Sequence, residues 1–422
     1  MTRDISHQPS AASRQLREGL DKSDRLFADG FRKPKVESHS NREPSAKGQH
    51  TTNRPKIGLT MGDAAGIGPE IILKALGHKS VYSMCQPIVI GSSAILQNAC
   101  QFIAPGTPPL KFNIIKTPMQ ASATHGTIDV LDISSISPEE ICRGTIDVRA
   151  GAAAVKAIEV AAQLAMRGEL DAITTAPICK AAINRAGIPY PGHTEMLAAL
   201  TNTPDVVMML CTPEALDSHP QKSRDPSEVA RSGSSGGGTS ADHRDSVLPT
   251  PSVIPAVSFV TNHIALADVP KHLSIPRIVN VIRITQQVLI RCGISEPRLV
   301  VAGLNPHAGE DGMFGEEEVH FIRPAIAQGQ TQKGTIDGPL PADALFVKAN
   351  QGKWHAVIAM YHDQGNIPIK LLGFGKLVNV TLGLPIIRTS VDHGTAFDIA
   401  GKGIASESSL VAALNCASRL AN

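Results

Sequence analysis

The sequence predicts an α/β fold built on a largely parallel or mixed sheet. Two observations carry this. Short apolar runs recur along the chain, and most are followed by stretches with helical periodicity. A hydrophobic content of 42% over 422 residues also supplies enough material for a substantial core.

Taken in order, Lys56–Thr60 (KIGLT) reads as the first strand, and Pro69–Leu76 as the helix after it, with Pro at an opening position and Glu70 in the first turn. Gln86–Gly91 is the second strand. Ala152–Met166 is Ala-rich and helical by pattern, and the strand Ala172–Thr175 follows. Val206–Leu210, Val257–Val260, Leu299–Ala302, Ala356–Met360 and Val378–Thr381 are further short strands, with a long helix at Ile275–Cys292. There is no internal repeat. Two segments carry no such pattern. Residues 1–54 hold eleven Lys/Arg and seven Asp/Glu with few apolar residues, and residues 217–250 include the Gly/Ser-rich run RSGSSGGGTSADHRD. Both are expected to be disordered, the second as an insert rather than a domain boundary.

Composition excludes several functions. Forty Lys+Arg against 38 Asp+Glu argue against nucleic acid or an anionic membrane as partner, since both select for clustered cations. Aromatics at 3% argue against a base-stacking surface. No apolar run is long enough to span a bilayer, and the N-terminus lacks the apolar core of a secretory signal. Seven scattered cysteines, never spaced C-x-x-C, make a disulfide framework or zinc ribbon improbable. The expectation is a cytoplasmic protein acting on a small molecule.

Three histidines fall near strand ends in polar surroundings: His193 in GHTE, His263 in TNH and His362 in YHDQG. Three neutral imidazoles can hold a divalent cation and leave positions open for substrate. Capping or hydrogen-bonded loop histidines would look the same, and no local metal-ligand spacing shows that the three meet. Lys370, Asn379 and Arg388 recur at nine-residue intervals through a Gly-rich, apolar stretch. Such cations suit a phosphate or carboxylate, though a surface pair with a turn Asn is equally compatible. The turn Gly62–Glu70 (GDAAGIGPE) lacks the third glycine of the dinucleotide fingerprint and the Lys-Ser/Thr of a phosphate loop, which favours a purely conformational role for its glycines. Asp392–Gly403 (DHGTAFDIAGKG) and Asn305–Glu310 (NPHAGE) are further polar, Gly-rich segments that fit either a ligand or a structural loop.

Together TMGDAAGIGPEI, ITTAPICKAAINRAGIPYPGHTEML, VVMML, GLNPHAGEDG, GPLPAD, AMYHDQGNIPIK and NVTLGLPIIRTSVDHGTAFDIAGKG resemble the 4-hydroxythreonine-4-phosphate dehydrogenase family of pyridoxal phosphate biosynthesis, from Lys56 to the C-terminus. The resemblance implies the two-domain α/β/α architecture of isocitrate and isopropylmalate dehydrogenases, with residues 55–145 and 365–422 in one domain and 146–364 in the other. It implies a homodimer with its site near the interface. His193, His263 and His362 match the family's metal ligands (for zinc, magnesium or cobalt), and Lys370, Asn379 and Arg388 its substrate-binding residues. Asp343 and Asp363 match acidic residues at the site, and His393, Gly394 and Thr395 belong to a loop similar to the nucleotide-binding loop of the decarboxylating dehydrogenases. The implied reaction is NAD- or NADP-dependent oxidation of 4-phosphooxy-L-threonine to 2-amino-3-oxo-4-phosphooxybutanoate, which loses carbon dioxide to give 3-amino-2-oxopropyl phosphate.

One departure bears on the substrate. Many members with that activity carry a His and an adjacent Thr or Tyr where this chain reads Ala150-Gly151-Ala152-Ala153. Relatives in the family act on 4-phospho-threonate or 4-phospho-erythronate, which lack the amino group, and that alternative stays open. A metal-dependent hydrolase is the alternative from another class, against which the nucleotide-loop similarity counts.

Overall fold

The computed structural model describes residues 54–104, 106, 108–217, 254–330 and 333–422. The two patternless segments, 1–54 and 217–250, lie outside the described residues except for Arg54 and Asp217. Among the described residues twelve strands form one sheet. They are β1 (Lys56–Thr60), β2 (Gln86–Gly91), β3 (Lys111–Ile115), β4 (Thr127–Asp132), β5 (Ala172–Thr175), β6 (Val207–Cys211), β7 (Ala256–Phe259), β8 (Arg298–Ala302), β9 (Thr335–Leu340), β10 (Ala356–Ala359), β11 (Val378–Leu382) and β12 (Arg388–Val391).

The strand order is β3-β4-β2-β1-β5-β12-β11-β6-β7-β10-β8-β9. The first six strands in that order are mutually parallel. So are the last four. Between them β12, β11, β6 and β7 pair antiparallel. Following the pairings across this junction shows that the two parallel halves run in opposite senses.

The central strands are covered on both faces: every residue of β5, β6, β7 and β10 is buried. Helices supply the cover. The helix Val148–Met166 begins four residues earlier than its apolar pattern predicts, because the Asp147 side chain caps it by accepting from the Arg149 and Ala150 N–H groups. Its inward stripe includes Ala150, Ala154, Ile158 and Ala161, a helical spacing. Gly151 lets it close on the helix Lys180–Arg185: a Cβ there would sit 2.6 Å from the Ala182 carbonyl carbon. The C-terminal helix Ser408–Ala421 straddles the junction of the two halves. Leu410, Leu414 and Ala417 enter the core around β1, while Ala413 and Cys416 enter the core around β6.

Four strands escaped the sequence pattern. β3 and β9 are edge strands with exposed or half-exposed positions, so neither is a continuous apolar run. β4 holds the buried Asp129, which accepts from the Ser122 and Ala123 N–H groups. β12 reads Arg-Thr-Ser-Val yet is buried throughout. Among the described residues no helix is long and apolar enough to cross a membrane.

Candidate active site

Strand register builds the floor of the site. Arg388 of β12 pairs with Ile173 of β5 and Thr381 of β11, and Ser390 pairs with Thr175 and Asn379. Side chains alternate along a strand, so Thr175, Asn379, Thr381, Arg388 and Ser390 all project from one face. On the other face Thr174 and Thr389 share a hydrogen bond of 2.9 Å, and Thr389 Oγ1 donates to the Ala413 carbonyl of the C-terminal helix. The polar face opens on a cavity of about 210 Å³, walled by Lys180, His193, Thr194, Glu195, His263, His393 and Gly394.

Arg388 is 2% exposed. Its Nη1 donates to Thr381 Oγ1 at 2.9 Å and its Nη2 to Thr175 Oγ1 at 2.8 Å, while the buried Nε has no partner. Among the described residues no carboxylate lies within ion-pair distance of it. Burial pulls its pKa down to about 9, with the Glu195 charge opposing. A guanidinium held dry without a counter-ion is poised for an anionic ligand. Beside it the buried Asn379 Oδ1 is also without a partner.

The histidines arrive from strand ends. His193 is the first residue of the helix His193–Leu200, which follows β5 by way of the helix Lys180–Arg185, and its Nε2 is buried with no hydrogen-bond partner. Burial, then the charges of Arg388 and Lys180, hold its pKa well below the ordinary histidine value, so the imidazole is neutral. His263 follows β7, and His362 follows β10 as the first residue of the helix His362–Gly373. Since β7 and β10 pair in parallel, the two rings lie close, 5.6 Å between centroids. Burial, Lys180 and His362 lower the His263 pKa. His362 Nδ1 donates to Asp363 Oδ1 at 2.6 Å, which orients the ring and leaves Nε2 available. A second cavity of about 440 Å³, lined by Ile264, Leu266, Tyr361, His362 and Asp363, shares His263 with the first.

The donor chemistry suits a divalent cation: imidazoles, one with an orphaned buried nitrogen, another oriented by a carboxylate. Within one chain, however, no three His, Cys, Asp or Glu among the described residues are grouped to hold an ion. His193 and His263 share the first cavity, and His263 and His362 share the second.

The remaining expected residues divide. Asn379 and Arg388 lie together on the floor, but Lys370 lines neither cavity; its Nζ is 3.3 Å from Asp392 Oδ2. Asp343 is exposed in the first turn of the helix Ala342–Asn350 and lines neither cavity. His393 and Gly394 form part of the first cavity wall, and a Cβ on Gly394 would meet open space. Thr395 packs on the Gly62–Glu70 turn: the Ile67 N–H donates to its carbonyl at 3.0 Å, and a Cβ on Gly66 would come within 2.9 Å of it. The glycines of that turn thus seat the 392–403 segment. Lys180 and Glu195 were not singled out from the sequence. Their signal was present in TTAPICK and GHTE, motifs that directly follow a strand or surround a candidate histidine.

This arrangement can be set beside known proteins. Residues 83–417 match the family described as pyridoxal phosphate biosynthetic protein PdxA. The chain belongs to the PdxA family. A D-threonate 4-phosphate dehydrogenase of Cupriavidus necator is 44% identical over 368 residues, covering 87% of this chain and 97% of the relative. A 4-hydroxythreonine-4-phosphate dehydrogenase of Desulforapulum autotrophicum is 41% identical, covering 87% and 96%. The crystal structure of a 4-hydroxythreonine-4-phosphate dehydrogenase from Burkholderia phymatum superposes with a TM-score of 0.68 at 41% identity, covering 87% of this chain and 98% of that one. The PdxA fold, of the isocitrate dehydrogenase type, is therefore the fold of this chain, and its family is one of dehydrogenases of phosphorylated hydroxy acids.

Proposed function

We propose that this PdxA-family protein oxidises the C3 hydroxyl of a four-carbon acid phosphorylated on O4, with NAD or NADP as oxidant, and that the acid is D-threonate 4-phosphate. The observation that carries the reading is Arg388: a buried guanidinium without a counter-ion, on a floor shared with Asn379 and Ser390 and beside neutral imidazoles. Arg388 binds the phosphate, and Asn379 fixes its orientation. His193, His263 and His362 are the residues that would hold a divalent cation, which supplies Lewis acidity toward a secondary alcohol. Asp363 holds His362 in the required orientation. The 392–403 segment, with His393 and Gly394 on the cavity wall, is where the nucleotide would rest; NAD(P)+ supplies the hydride acceptor. Oxidation at C3 gives a β-keto acid, and loss of carbon dioxide then leaves dihydroxyacetone phosphate.

Two observations support the threonate. Ala152 and Ala153 stand where a hydrogen-bonding pair occurs in many members that act on the amino substrate, and the Cupriavidus relative carries the threonate activity in its name. A second reading, 4-phosphooxy-L-threonine, is favoured by Glu195, a carboxylate at the cavity that would suit an ammonium group. We further take the chain to work as a homodimer. Ile367 and Leu371 on the helix that begins with His362, and Phe374 just past its end, are 58%, 82% and 88% exposed and offer an apolar ridge.

The test is NADH or NADPH formation with each substrate, with and without a chelator. Chelator-sensitive turnover that prefers the threonate by tenfold or more is expected, on the order of the discrimination a single unsatisfied polar contact provides. Preference for the amino acid would move the protein to the second reading, and turnover of neither would overturn both.

A further inference from the structure

The substrate proposed above carries two anionic groups, a phosphate and a carboxylate, on either side of the carbon that reacts. The floor of the cavity answers one of them with the Arg388 fork, the Asn379 amide and the Ser390 hydroxyl, a multi-donor face that suits a tetrahedral phosphate. Within one chain Lys370 lies outside both cavities, its Nζ 3.3 Å from Asp392.

Lys180 is at hand. It opens the helix Lys180–Arg185, is exposed at the rim of the first cavity, and makes no ion pair among the described residues. Its Cε lies 3.7 Å from where a Cβ on Gly192 would stand, which places the lysine side chain beside the residue that precedes His193. Glu195 Oε2 lies 3.3 Å from the same point yet is not within ion-pair distance of the ammonium. The Lys180 charge reaches both His193 and His263. Lys180 thus shares one cavity with both imidazoles and with the Arg388 floor.

We propose that Lys180 binds the C1 carboxylate of the substrate, opposite the phosphate held by Arg388. The assignment rests on the proposed function and adds to it a division of labour between two cations. It also gives the reaction its selectivity for an acid over the corresponding alcohol. Lysine suits this place because a mobile point charge at a rim can follow a planar carboxylate that is later lost as carbon dioxide.

The experiment is titration calorimetry on the purified protein, Lys180→Met and Lys180→Arg, with two ligands. One is D-threonate 4-phosphate; the other is threitol 4-phosphate, in which CH2OH replaces the carboxylate. Lys180→Met should weaken the acid by about tenfold or more and leave the alcohol within about twofold, and Lys180→Arg should recover most of the loss. A purely structural role would shift both ligands together. Equal weakening of both, or of neither, overturns the assignment to the carboxylate while the substrate reading stands. If the unmodified protein binds neither compound, the substrate reading falls and the assignment of Lys180 falls with it.

Discussion

Arg388 concentrates the logic of the site in one residue. A charge removed from water without a partner opposes folding, and the protein carries that opposition because the ligand cancels it. Arg388→Met should therefore raise KM for the phosphorylated substrate at least tenfold, with kcat much less affected. The melting temperature should stay within about 3 °C of the parent, since relief of the buried charge offsets two hydrogen bonds lost at Thr175 and Thr381. A fall of ten degrees would instead mark Arg388 as structural. At this scale the sequence was partly legible. His193, His263, His362, Asn379 and Arg388 each stood out as a polar residue abutting an apolar run, and the structure brings all five to two adjoining cavities. Lys180 did not stand out, because one lysine at a helix start looks like any solvated charge. Lys370 also stood out, but within one chain it lines neither cavity and lies 3.3 Å from Asp392, since spacing along a chain does not show which helix face meets a cavity.

Elements place these residues, and two of them can be perturbed away from the cavity. Gly151 lies at the contact of the helices Val148–Met166 and Lys180–Arg185, where a methyl group would press on the Ala182 and Ile183 backbone at 2.6–2.8 Å. Gly151→Ala improves helix propensity, yet overpacking against backbone outweighs it, and urea unfolding should show a loss of about 2 kcal/mol. Unchanged or higher stability would mean the helices separate freely. The second is His355, whose Nδ1 accepts the Arg298 N–H at 2.9 Å where β10 meets β8. Burial, then the nearby Arg298 charge, lower its pKa from 6.5 to about 4. Between those values the unfolded chain binds the proton and the folded protein does not, so this contribution to stability falls as pH falls through that window. His355→Gln should flatten the stability curve there, and parallel curves for parent and variant would show that the folded imidazole protonates freely. Element types were legible wherever strands are covered on both faces and so read as apolar runs. β12 was hidden by its polarity, which follows from facing the cavity with Arg388 and Ser390, so the strand nearest the chemistry was the hardest to see.

For the whole molecule, the ridge Ile367, Leu371 and Phe374 bears on assembly. Leu371→Glu with Phe374→Glu should convert a dimer to a monomer in sedimentation at micromolar concentration, and turnover should fall with it. A parent already monomeric under those conditions would remove the ridge from the argument. The opposed halves of the sheet have a further consequence, for synthesis rather than for catalysis. β11 and β12 stand at the centre of the sheet but come last of its strands along the chain. Until they emerge from the ribosome, β5 and β6 each present an open edge, and the floor of the site does not exist. Closing the sheet thus waits for the last of its strands to be made. Until then the nascent chain exposes the unpaired backbone that most invites association with its neighbours.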